Sequence, residues 1–361
     1  MKSTFAQNIK KLRKEEHVTQ EQLAEAMGVT PGAIYKWEQN LSVPDIGLIM
    51  ELASYFGVSV DALIGYTMSA SDKERIVQTL KKIKVEKTYE NCWDEIEGWL
   101  RRYPNDFDIV YHSGILYHLV GIETHSNDRL ARSIELMNHA CTLIGQNRDP
   151  EISETGICRD IAIAYLSMGE CDRGLEQLKA HNPCGINDDI IGQELSWNPK
   201  RREEALQYLS LALLHSTASL YRITIGFVNL FVSKKEYLSA IWIIQWTLNY
   251  LEGLRKPTGN SYLEKDMAAI LAVCGDLYTE IGEMEQAKIC LQKARRLALC
   301  FDAAPDYTSR HIRYCESVTP RVAYDNMGVS AMDTIEQILR EDKNDPAEPI
   351  LKIWEEVCNE E

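Results

Sequence analysis

The chain has 361 residues, 45% hydrophobic and 26% charged, with 54 Asp and Glu against 39 Lys and Arg for a net of −15. That length leaves room for two or three domains and a substantial core, and the acidic balance argues against broad nucleic-acid coating. No run of eighteen apolar residues occurs and the N-terminus, MKSTFAQNIKKLRKEE, lacks an apolar signal core, so the sequence reads as cytoplasmic with no membrane span.

Positive charge gathers in the first predicted helix at Lys2, Lys10, Lys11, Arg13 and Lys14, although residues 1–66 sum to −2 and the remainder to −13. Thr19 to Asn40, TQEQLAEAMGVTPGAIYKWEQN, then reads as two short helices joined by a tight turn. Thr19 caps the first, with Gln22 completing a capping box. Leu23 and Met27 face inward at helical spacing, and Ala24 leaves room for a crossing helix. Gly28 is the left-handed stop. Thr30 caps the second helix, Pro31 suits its first turn, and Ile34 and Trp37 return to the core. Pro44 and the series Ile46, Ile49, Leu52, Ala53, Phe56, then Gly57, Val58 and Leu63, predict a fourth and a fifth helix.

The ordered pattern Gln20-x-x-Leu23-Ala24-x-x-x-Gly28-Val29-x-x-x-x-Ile34-x-x-Trp37-Glu38 resembles the XRE family, the Cro- and phage-repressor-like DNA-binding domains, from about Phe5 to Tyr66. An ordinary helical hairpin is the alternative. The resemblance implies a five-helix lambda-repressor-like domain over 1–66, with its motif at about 20–39, and an ion pair between Arg13 and Glu38. It also implies base contacts from Thr30, Pro31, Gly32, Ala33 and Lys36, phosphate contacts from Gln20 and Asn40, and Tyr35 as a further phosphate candidate. Pro31 and Gly32 depart from the pattern, because neither offers a side-chain hydrogen bond. Specificity is then expected to rest on Thr30, Lys36, the Ala33 methyl against thymine, and DNA shape. So few phosphate-neutralising groups make one head a weak binder that needs a second alongside.

Residues 67–88 read as a linker and connector helix. Gly65 to Ser71 is small and polar, and Ser71 with Glu74 predicts a capping box opening a helix through about Val85. Lys73, Arg75, Lys81, Lys82 and Lys84 surround Ile76, Leu80 and Ile83 there. The plain reading is a solvated face over a small apolar stripe; the functional one is an extra phosphate contact or a connector passing signals to the head.

From about Tyr89 one pattern returns. Gly275-x-x-Tyr278-x-x-x-Gly282-x-x-x-x-Ala287-x-x-x-Leu291-x-x-Ala294 has shadows at Ala162, Tyr165, Gly169, Gly174, Leu178 and at Val228, Phe231, Lys235, Ala240, Ile244. A fourth begins Gly114, Tyr117, Gly121 and takes an insertion, IETHSND. This resembles tetratricopeptide (TPR) repeats, with another α-solenoid as the alternative. Copies spaced wider than the repeat imply long loops, lengthened helices, or an unrecognised helix pair between 181 and 222. The fold class is therefore all-α, with a TPR-like domain over 89–341. Loops are expected at Tyr103–Asp106, Asn182–Pro199, Lys256–Asn260 and Asp302–Asp306, a hinge at Asp342–Pro349, and a C-terminal cap within 342–361 through Ile350, Leu351, Trp354 and Val357. By the repeat pattern the ligand face would be lined by first helices, around Tyr111–Leu119, Ile161–Leu166, Arg222–Asn229 and Lys265–Cys274.

No GxxxxGK[ST], GxGxxG, GxSxG or HExxH motif occurs, so no catalytic residue and no cofactor is expected. Ten cysteines stand singly, without zinc spacing, and read as reduced thiols; no metal site is expected. His112, His118, His125 and His139 read as packing or surface residues. Trp242, Trp246 and Tyr250 make a stripe for which core packing is the default and a ligand-facing groove wall the alternative. Asn229 is a weaker candidate for a peptide backbone contact. An XRE-like head on a TPR-like array resembles regulators whose repeats dimerise and bind a signalling peptide. That resemblance implies a DNA-binding transcription regulator, a homodimer on double-stranded operator DNA of pseudo-palindromic form, with a possible peptide or protein effector. The rival is a protein-interaction adaptor whose head has little DNA affinity.

Overall fold

Helix forms wherever the apolar spacing predicts it and in several places where it does not. The computed structural model describes residues 2–65, 70–315, 320–341 and 348–360, and these hold eighteen α-helices and no strand. Most of the expected linker at 65–71 and hinge at 342–349 lies outside the described residues, as does the Ser71 side chain of the expected capping box. The chain divides into two compact units, Met1–Val120 with Thr142–Asn147, and Gly121–Cys141 with Arg148–Glu361.

The first unit opens with α1 (Lys2–Glu15), α2 (Gln20–Ala26), α3 (Pro31–Glu38), α4 (Ile46–Tyr55) and α5 (Val60–Ile64). Phe5, Ile9, Leu23, Ile34, Trp37, Leu52, Phe56 and Leu63 form their core. Next come α6 (Ala70–Glu86), α7 (Trp93–Arg102) and α8 (Phe107–Glu123). Ile76, Leu80 and Ile83 of α6 are buried as a stripe, and Lys73 is tied to Asp106 at 3.0 Å and Asp108 at 2.7 Å. Of the α6 cations, Lys73 therefore serves the fold.

The second unit continues with α9 (Asn127–Thr142), α10 (Glu154–Ser167), α11 (Cys171–Ala180), α12 (Asp188–Ser196), α13 (Arg202–Ser233), α14 (Tyr237–Leu254), α15 (Tyr262–Glu280), α16 (Met284–Ala303), α17 (Ala331–Arg340) and α18 (Pro349–Asn359). Small residues sit where the TPR-like pattern needs close helix approach. A methyl group at Gly275 would meet Leu291 at 3.2 Å, and one at Gly174 would lie 3.0 Å from the Ala162 carbonyl oxygen. Gly169 and Gly282 make the intervening turns at positive φ. The expected insertion after Gly121 is not a loop. Gly121 lies inside α8, with Leu130 against it, and His125 (φ 51°) makes the turn, so that copy is displaced by one helical turn.

The missing pair between 181 and 222 exists, and the expected loop at 182–199 contains one of its helices. Helix α12 packs on the first half of α13, with Gly192 against Leu209, and α14 packs on α13 as well. With no proline and one glycine from Arg202 to Ser233, nothing stops α13, and a single 32-residue helix serves two pairs. By length and composition Pro199–Ser233 is also long and apolar enough to cross a membrane, which the lack of an eighteen-residue apolar run does not suggest; in this fold it packs on its neighbours. Beyond α12 it leaves Ile223, Phe227 and Leu230 exposed. On α14, Trp242 and Trp246 are exposed too, against the core-packing expectation, because no described helix covers that face; Tyr250 is half-buried and bonds Thr217 at 3.0 Å.

After α16, residues 304–315 and 320–330 run irregularly before α17 as a strap. Its anchor is Lys265, 1% exposed, whose ammonium donates to Tyr307 Oη (3.0 Å), Asp325 Oδ1 (3.1 Å) and the Gly328 carbonyl (3.2 Å). Burial works against the charged form, but those bonds outweigh it and raise the Lys265 pKa above its ordinary value. Lys265 to Cys274, expected on an open ligand face, are thus almost wholly core. Asp302 accepts the α17 amides of Ala331 (2.7 Å) and Met332 (3.0 Å). Ile350, Leu351, Trp354 and Val357 of α18 are buried in the same cluster. The cysteines are free thiols, and Cys141 lies beside Cys158, as Cys274 does beside Cys290.

Next to Lys265 on α15, burial and the charge of Asp325 push the Asp266 carboxyl up to about 7. Between its unfolded value near ~3.9 and 7, the folded chain holds a proton that the unfolded chain has lost. Stability from this group is complete below ~3.9 and falls as pH rises to 7. We expect Asp266→Asn to stabilise the chain at pH 8 by on the order of 1–3 kcal/mol and to change it little at pH 4. Thermal melts across that range check this, and an unaltered pH profile contradicts it.

Candidate nucleic-acid interface

Thr19 caps α2: its hydroxyl accepts from Gln22 N at 3.2 Å, and the Gln22 side chain takes the Thr19 amide at 2.8 Å. Gly28 follows at φ 64°, where a Cβ would be strained. Thr30 caps α3 by accepting from Ala33 N at 3.3 Å, with Pro31 in the first turn. Ile34 and Trp37 then anchor α3 in the core, which turns Thr30, Pro31, Gly32, Tyr35 and Lys36 outward to solvent; Ala33 is half-buried.

Glu38 fixes how α1, α2 and α3 meet. Its carboxylate is buried and accepts from Arg13 Nε at 2.5 Å, Arg13 Nη2 at 3.1 Å and Gln20 Nε2 at 2.7 Å. Burial pushes its pKa up, but the bonds from Arg13 and Gln20 and the Arg13 charge prevail, and the carboxyl lies below its ordinary value. The Glu38 hydrogen bond in turn raises Arg13, which also donates to the Val18 carbonyl at 2.8 Å. Sequence reasoning assigns Gln20 to phosphate, yet one N–H of its amide is spent on Glu38 and the side chain is half-buried. Asn40 is exposed just past α3, in a left-handed conformation at φ 59°.

Thr30, Tyr35, Lys36 and Asn40 thus share the exposed side of α3 and its exit. Leu41, Val43, Ile46 and Met50, on the α3–α4 connection and α4, are exposed apolar residues; the sequence reading places Ile46 in the apolar series of α4 and does not single out the other three. On α4, Met50 and the buried Leu52 are two residues apart and so point to opposite sides of the helix. Among the described residues no three His, Cys, Asp or Glu side chains gather as a metal-ligand set. His118 is buried and held neutral, its pKa pushed down to about 4 by burial. Asn229 is exposed on α13, apart from this surface in the sequence and in the second unit.

Residues 9–63 match the family model described as Helix-turn-helix. The chain is 29% identical over 85 residues to the HTH-type transcriptional activator BcrR of Enterococcus faecalis, which is 24% of this chain and 40% of the relative. It is 28% identical over 74 residues to the uncharacterized HTH-type transcriptional regulator YqaE of Bacillus subtilis, 20% of this chain and 60% of that protein. It therefore spans about half the length of the curated relatives it matches. Among solved structures, Bacillus thuringiensis PlcR in complex with the peptide PapR7 and DNA aligns over 83% of this chain and 95% of its own, at 12% identity and a TM-score of 0.23. Apo ComR from S. thermophilus aligns over 84% and 96%, at 12% identity and a TM-score of 0.20. The N-terminal five helices are a helix-turn-helix domain.

Removing one partner of the Arg13–Glu38 pair strands the other's charge inside the head, and Glu38→Ala is expected to cost about 3–5 kcal/mol. A depressed carboxyl contributes stability above its unfolded pKa, so this contribution fades as pH falls through the folded value. Hydrogen exchange at the Leu23 and Ile34 amides in the intact chain reads the loss. Replacing both residues by apolar ones should restore part of the protection, and protection unaltered by either change would contradict a structural role for the pair.

Proposed function

We propose that this chain is a sequence-specific DNA-binding transcription regulator, acting as a homodimer on a pseudo-palindromic operator. The helix-turn-helix head at 1–66 reads DNA, residues 67–88 connect, and the array at 89–341 with its 342–361 cap serves dimerisation and the binding of a peptide or protein effector. One observation carries this reading: Ile34, Trp37 and Glu38 are buried, so α3 is held rigidly with Thr30, Tyr35 and Lys36 facing out. A helix so presented suits the major groove, where its first turns reach base edges. Thr30 and Lys36 supply hydrogen bonds, the Ala33 methyl an apolar contact for thymine, and Pro31 and Gly32 a close approach without donors. Asn40 and Tyr35 face the phosphates, with Gln20 limited to the N–H that Glu38 leaves free. Asn229 stands ready on α13 for a peptide backbone.

Pairing of heads is supported by the exposed Leu41, Val43, Ile46 and Met50, since a surface of that kind seldom stays bare on a small domain. The relatives named as transcriptional regulators support the reading of the head. The adaptor reading rests on the net charge of −15 and on Pro31 and Gly32, which lend the recognition helix no polar reach. No catalytic chemistry is part of either reading.

Lys36→Ala is expected to weaken binding to the chain's own upstream DNA by about 1–3 kcal/mol while leaving the melting temperature in place. A salt-controlled titration measures this. Equal affinity of the native chain for that DNA and for scrambled DNA favours the adaptor.

A further inference from the structure

A cavity of about 650 Å³ opens in the second unit between α12, the first half of α13 and the strap. Its wall holds Leu211, Leu214 and Ala218 with the rings of Tyr208 and Tyr262, and into it runs Asp188, the first residue of α12. Asp188 is only 3% exposed. Its Oδ1 accepts from Asn182 Nδ2 at 2.7 Å, whereas Oδ2 lies on the side where a Gly185 side chain would project and has no hydrogen-bond or ion-pair partner among the described residues. Gly185 (φ 76°) has no room for a side chain, because a Cβ there would fall 2.4 Å from that oxygen and 3.2 Å from the His215 ring.

A carboxylate so nearly buried is costly unless something cationic or hydrogen-bonding meets it. The α12 N-terminus and Asn182 offset part of that cost, since helix dipoles favour a negative charge at their start. One oxygen still faces the cavity. Arg321, on the strap side of the same cavity, makes no ion pair with Asp188. The second unit holds 25 Lys and Arg against 37 Asp and Glu, a net of −12, which also draws cations toward it.

We propose that this cavity binds a short peptide through a cationic nitrogen seated on Asp188, with apolar or aromatic side chains against Leu211, Leu214 and Tyr208. The inference deepens the reading of the array as the effector module and rests on it. It moves the site from the first-helix faces expected by repeat pattern to the α12–α13 pair, whose existence the repeat pattern left open. The nitrogen can come from a free peptide N-terminus or from a Lys or Arg side chain, and both present N–H donors to a carboxylate.

Three hexapeptide pools distinguish these cases, with the remaining positions drawn from Ala, Leu, Phe, Tyr and Ser. One has a free N-terminus and no basic residue, one is N-acetylated with a single Lys or Arg, and one is N-acetylated with a single Asp or Glu. Each is passed over immobilised full-length chain and the retained peptides are read by mass spectrometry. We expect one of the two cationic pools to be retained at least about tenfold over the acidic pool, a gap that Asp188→Asn closes and Asp189→Asn leaves open. Ala218→Trp, which fills the cavity from an exposed position on α13, is expected to abolish retention without altering the fold, and it carries the test should Asp188→Asn unfold. Equal retention of the pools, no retention, or retention unaffected by Asp188→Asn and Ala218→Trp overturns the site. DNA titration of the same preparations is scored separately: loss of sequence preference there sinks the regulator reading and leaves the cavity result standing.

Discussion

Helix α13 is the constraint on which the second unit depends. A lone helical hairpin cannot bury its apolar face, so each pair needs a neighbour. Here two pairs share one uninterrupted helix of 32 residues, with α12 on its first half and α14 packed beside it. The register of one pair is thereby fixed to that of the next, since no loop between them can absorb a shift. The same continuity leaves Ile223, Phe227 and Leu230 beyond the reach of the nine-residue α12, and gives α13 its membrane-like composition.

Shared helices alone do not explain the strap. Its irregular course from α16 to α17 would leave many backbone groups unpaired, yet Ser309 N donates to the Arg321 carbonyl at 2.8 Å, Ala323 N to that of Tyr307 at 2.8 Å, and Arg313 N to that of Leu254 at 2.7 Å. The Lys265 ammonium gathers three oxygens from it. A buried ammonium with three satisfied bonds specifies one position for the strap, where an apolar contact would tolerate sliding. Asp266 is the cost of this arrangement, a second carboxyl close to Asp325 that burial holds near neutrality.

In the head the same logic works on a smaller scale. Glu38 ends the recognition helix in the core, and only the fork of Arg13 with the Gln20 amide makes its burial tolerable. Three helices are thus oriented through one carboxylate. The exposed face of α3 carries one charged side chain, Lys36.

Local chemistry was legible in the sequence. Thr19 with Gln22, Gly28, and Thr30 with Pro31 specify caps and a left-handed turn within a few residues, and all of them form as written. The close contacts at Gly275 and Gly174 were legible for the same reason, because absence of a side chain marks where backbones approach. What the tertiary structure alone decided depends on residues far apart in the chain. Trp242 and Trp246 are exposed because no described helix covers them, and a hydrophobic stripe carries no record of its missing partner. Lys265 looks like a surface lysine until Tyr307, Asp325 and Gly328 close over it from 42, 60 and 63 residues away. Asp188 is unremarkable beside Asp189 in the sequence; burial under α13 and the neighbouring Gly185 separates the two. Spacing encodes which side of a helix is apolar, but only packing determines whether anything meets it.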